Sequence, residues 1–148
     1  MCAVRLVLAA GIARVGALAV RLAAPQLGQE DLKSQLEALY TVRAELDVHP
    51  VLRFLQVDIR LHMLISRASN NGRLIHSLSM LRSQLSMFQM QDTFYPERMA
   101  TALNDHEQIL LALLAGNVEK AADCLAGHIN NAKEGVLADI FLEGKEDF

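Results

Sequence analysis

Apolar residues recur along this chain at the three-to-four-residue spacing of an amphipathic helix, and no segment shows the alternation of a strand. The pattern predicts six helices. The first covers about 2–24 and ends before Pro25, because a residue preceding proline resists the helical region. The second, about 29–47, carries Leu32, Leu36, Leu39, Val42 and Leu46 on one stripe and is broken by His49-Pro50. The third runs over about 51–69 to the stop Asn70-Asn71-Gly72. The fourth, about 72–91, shows Ile75, Leu78, Leu81, Leu85 and Phe88. Pro96 opens the fifth, which Gly116 stops, and Asn117 caps the sixth, about 118–142. Six helices joined by short turns imply an all-α antiparallel bundle. It forms one domain over 3–142, followed by a flexible tail at 143–148.

Several polar residues interrupt the apolar stripes. Asp58 and His62 lie on the stripe Leu55, Asp58, His62, Ile65, Ser69, four apart and so one turn from each other. His106 sits among Met99, Leu103, Leu110 and Leu113, and His128 among Ala121, Leu125 and Ala132. A carboxylate facing a core needs a partner or a cation. One Asp and three His form a reasonable shell for a divalent transition metal. The same residues also suit a buried Asp–His hydrogen bond beside two core histidines. His49, in a turn, and His76, on a polar face, are not expected to be ligands.

Arg82 also falls on an apolar stripe, with Ile75, Leu78 and Leu85. It either clamps an organic acid through its planar guanidinium or reaches the rim to pair there. Asn131, about one turn beyond His128, is in reach of a ligand or simply caps a neighbour. Cys124 could offer a thiolate but more often such a cysteine is a small buried hydrophobe.

Composition narrows the function classes. A net charge of −3, with no run of Lys or Arg, argues against a nucleic-acid surface. Cys2 and Cys124 show no disulfide spacing, which suggests a reducing, cytoplasmic setting. Residues 3–24 have the outline of a signal peptide, but Arg14 and Arg21 interrupt the apolar run, so an Ala-rich amphipathic helix is expected and no membrane span.

The chain resembles the FCD domain, the C-terminal effector domain of FadR-type regulators in the GntR family. The residues that carry the resemblance are Asp58-x-x-x-His62, Ala68-Ser69-Asn70, Asp105-His106-Glu107-Gln108-Ile109-Leu110, Ala115-Gly116-Asn117 with Ala121-Ala122, and Gly127-His128. Arg5-Leu6-Val7-Leu8 and Leu22-Ala23-Ala24 look like that domain's first helix. The resemblance implies a metal on Asp58, His62, His106 and His128, namely Zn, Ni, Mn or Fe. It also implies a cavity for a small carboxylate effector, with Arg82 as its partner. Six helices are similar to the VanR branch. Ala9 stands where the family usually has Glu, and no winged helix is found in the 148 residues, so DNA contact would need an attached reader.

A ligand-sensing, homodimeric regulatory domain is therefore expected, with the broad apolar first helix as a candidate dimer face. The alternatives are a helical-bundle metalloenzyme that activates water and a structural dimer stapled by metal. An enzyme would need a general base. Glu107 points about 100° away from His106 around its helix, and no other inward carboxylate stands out.

Overall fold

The structure, a computed structural model, describes residues 2–45, 50–80 and 96–143. Among these residues all regular structure is helical: α1 (Cys2–Ala23), α2 (Gln29–Ala44), α3 (Pro50–Ala68), α4 (72–80), α5 (Pro96–Leu114) and α6 (Val118–Glu143). A 3-10 turn at Ala24–Gln26, with Pro25 inside it, joins α1 to α2. Arg82 and the second half of the expected fourth helix lie outside the described residues, as does His49.

The helix ends follow from local chemistry. α2 stops three residues earlier than its apolar pattern predicts, where the Glu45 N–H turns to the carbonyls of Thr41 and Val42. α3 starts on Pro50 itself, whose missing N–H would be unpaired there anyway. It ends with Asn70 in the left-handed region, φ 50°, a conformation asparagine tolerates better than most residues. Asn71 then accepts the Leu74 N–H with its side chain, at 3.2 Å, and starts α4. Between α5 and α6, Gly116 takes φ 71°. The Gly116 and Asn117 N–H groups close on the carbonyls of Leu113 and Ala112, at 3.0 and 2.8 Å, which is a Schellman ending. Asn117 caps the next helix through Lys120 N–H, at 3.1 Å.

Five helices close a ring: α1 packs on α6, α6 on α5, α5 on α2, α2 on α3, and α3 back on α1. The apolar stripes meet inside it. Leu39, Leu61, Leu103, Ile109 and Leu110 are all but fully buried. α1 behaves as a bundle helix, with Ala19, Val20 and Ala23 fully buried and Arg21 forking onto Glu119 of α6. Gly16 faces α6, where a Cβ would stand 2.7 Å from Ile129 Cδ1, the movable end of that side chain. Among the described residues no helix is long and apolar enough to cross a membrane.

Candidate metal centre

The four inward polar residues of the stripes converge. Asp58 and His62 come from α3, His106 from α5 and His128 from α6, and one donor atom from each lies within 4.8 Å of all the others. Asp58 Oδ1 stands 3.4 Å from His62 Nε2 and 3.3 Å from His106 Nε2. His106 Nε2 stands 3.2 Å from His128 Nε2. Asp58, His106 and His128 are buried, at 4%, 1% and 6% exposure, so the group is closed to bulk water on most sides. The Phe54 ring lies nearly parallel to His106 and walls it off.

These separations suit a metal. Donors about 2.0–2.2 Å from one ion lie roughly 3.0–3.4 Å apart along the edges of its coordination polyhedron. The three pairs, at 3.4, 3.3 and 3.2 Å, fall in that range. Protonation states agree. Burial pushes the Asp58 carboxyl up, but the His62 charge and hydrogen bonds from His106 and His62 outweigh it and hold the group well below the usual carboxylate range. Burial drives His106 down to about 4, against the opposing pull of Asp58. A divalent metal requires an ionised carboxylate and neutral imidazoles; Asp58 and His106 meet this already, while His62, whose charge depresses Asp58, would give up its proton to the ion. His106 Nδ1 is buried with no hydrogen-bond partner, so this ring is held by packing rather than by an outer hydrogen bond.

His128 has such an outer partner. Its Nδ1 donates to Asp105 Oδ2 at 3.3 Å, which turns the Nε2 lone pair toward the cluster. Burial raises the Asp105 carboxyl, yet hydrogen bonds from His128 and Asn131 leave it below its ordinary value. Asp105 is the residue that stripe reading missed. It neighbours His106 in sequence but serves His128 on the next helix, and only the α5–α6 packing reveals that. Asn131, expected near a ligand, donates to Asp105 Oδ2 at 3.2 Å and does not line the cavity. Cys124 is half-buried against the core, outside the cluster. His76 is exposed. Glu107 accepts from Tyr40 at 2.7 Å and Arg43 at 2.9 Å on the α2–α5 surface, away from the cluster.

Asp58, His62 and His128 also line an open-mouthed cavity bounded by α1, α3, α4 and α6. His106 forms the back of the cluster and does not reach it. An anion in the cavity would therefore meet three of the four donors. The sequence model of the FCD domain family matches residues 12–131, a span that holds the cluster, Asp105 and Asn131. A search among curated proteins finds no match.

Proposed function

Because the chain belongs to the FCD domain family, the ligand-sensing domain of GntR-type transcription regulators, we propose that residues 3–142 form one effector-binding and dimerisation domain. It holds one divalent transition metal, Zn, Ni, Mn or Fe, on Asp58, His62, His106 and His128, and it admits a small carboxylate beside the metal. The carrying observation is the convergence of four donors from three helices within 4.8 Å. The bound ion would supply positive charge for the carboxylate of the effector.

The chain's own residues do the rest. Asp105 fixes the tautomer of His128, and Asn131 steadies Asp105. Arg82 is the proposed partner of the effector's carboxylate, beside the metal. Effector binding that favours one helix arrangement would reach DNA through a homodimer and an attached winged helix, in the cytoplasm. A purely structural site is disfavoured because structural metal sites are usually closed, and this one opens on a cavity. A hydrolase is disfavoured because Glu107 is engaged elsewhere.

Elemental analysis of protein purified without chelator or affinity-tag metal tests the proposal. About one metal per chain is expected in the wild type and in His76→Ala, and little in His106→Ala or His128→Ala. Absence of metal from every sample, with no thermal shift on adding Zn, Ni or Mn, would return the histidines to a hydrogen-bonding role.

A further inference from the structure

The titratable groups of the described cavity lining are gathered in one spot, at Asp58, His62 and His128. Elsewhere the described lining is chiefly aliphatic: Ile12 and Ala19 from α1, Met63 and Ile65 from α3, Leu78 from α4, and Ile129 from α6. No Lys or Arg stands in the described lining. Two hydroxyls are present, and that of Ser66 is spent inside its own helix on the Met63 carbonyl, at 3.3 Å. The lining on α3 runs from Asp58 to Ser66 and on α6 from Leu125 to Ala132. At 1.5 Å per residue these stretches are roughly 10–12 Å long.

A second carboxylate or a chain of hydroxyls placed along this wall would lose its water and gain few partners. A hydrocarbon tail would lose nothing there and would remove the apolar wall from water. We propose that the effector is a monocarboxylate with an apolar tail. Its head lies at the cluster and its tail lies against Ile12, Met63, Leu78 and Ile129. This rests on the metal-and-acid function proposed above and specifies its ligand.

Zinc-loaded full chain is titrated calorimetrically with acetate, butyrate and hexanoate, and with succinate and gluconate. Affinity should rise about fourfold per added methylene from acetate to hexanoate. Succinate and gluconate should bind no tighter than butyrate. Leu78→Ser should keep its zinc and show a flatter dependence on chain length. If acids bind but chain length has no effect, or if succinate or gluconate exceeds hexanoate, the apolar-tail inference is overturned while the sensor function stands. If no acid binds to protein that demonstrably carries zinc, the sensor function itself fails, and the inference with it.

Discussion

Metal-free protein should lose stability between pH 7 and pH 5 because buried His106 resists protonation. In the folded chain burial drives this imidazole down to about 4, from an ordinary histidine value of 6.5. As pH falls below 6.5 the unfolded chain takes up the proton and the folded chain does not. Stability is therefore fully present above 6.5 and lost as pH falls toward 4. Across the whole interval the loss amounts to about 3 kcal/mol, and by pH 5 to about 2 kcal/mol. Asp58, also depressed, adds a loss of the same sign, but only below its ordinary value of 3.8 and so outside this window. Urea denaturation in chelator, followed by circular dichroism at pH 7 and pH 5, measures the difference. His106→Leu will be less stable at both pH values, yet its pH dependence should shrink by about 2 kcal/mol. An equal pH dependence in wild type and variant would refute the assignment, because the proton uptake would then belong elsewhere.

Other substitutions probe the supports of the site. Asp105→Ala removes the partner of His128 Nδ1 and should weaken metal binding about 10–100-fold in a competition with a chelating dye, with little change in helicity; unchanged affinity would remove Asp105 from the site. Gly16→Val places branched carbon where Ile129 Cδ1 lies 2.7 Å from a Cβ, and should lower stability by about 1–3 kcal/mol in urea. A neutral result would mean that the Ile129 side chain turns aside to make room. Gln35 is buried, donates to the Val57 carbonyl at 2.9 Å and has a buried Oε1 with no partner. Gln35→Met should accordingly change stability by no more than about 1 kcal/mol in either direction, and a loss above about 2 kcal/mol would reveal a partner for Oε1.

The helices and the cluster were legible for the same reason. A helix repeats every 3.6 residues, so a polar residue on an apolar stripe must face inward wherever the helix is placed. Asp58, His106 and His128 obey this and are buried; His62, half-buried, marks the cavity edge. Gly116-Asn117 was legible because its turn chemistry is local. Features set by another helix were not. Gln35 stands on the α2 stripe, three after Leu32 and four before Leu39, so its burial follows the same rule, but its partner, the Val57 carbonyl of α3, shows in no spacing. Asp105 is polar, next to a ligand, and has no pattern of its own; its role exists only where α6 presents His128. Asn131 was assigned by its spacing from His128, and that spacing gave its side of α6 but not its neighbour Asp105. Helix ends shifted where a backbone N–H found a nearer carbonyl, as at Glu45, or where Asn70 rather than Gly72 took the left-handed turn.

The position of the cluster within the ring suggests how binding can reach the rest of the domain. Around the ring α3 neighbours α1 and α2, whereas α5 and α6 neighbour each other on the other side. Asp58 and His62 thus belong to one side and His106 and His128 to the other, and their donor atoms meet across the middle. Core side chains can slide a little at small cost, whereas bonds from one ion to both sides would fix the distance between them. The cavity adds α1 and α4 to the same junction, through Ile12 and Leu78. A ligand there touches helices from both sides of the ring at once, so any difference in their spacing changes its contacts with both. Differential contact of that kind is what a ligand needs to favour one arrangement over another. A site built wholly on one helix pair would lack it. With α1 packed along α6, movement of α3 relative to α6 is taken up where α3 meets α1. Gly16 itself lines the cavity, so Gly16→Val narrows it directly and should weaken effector affinity as well as stability; unchanged affinity in a calorimetric titration would refute this.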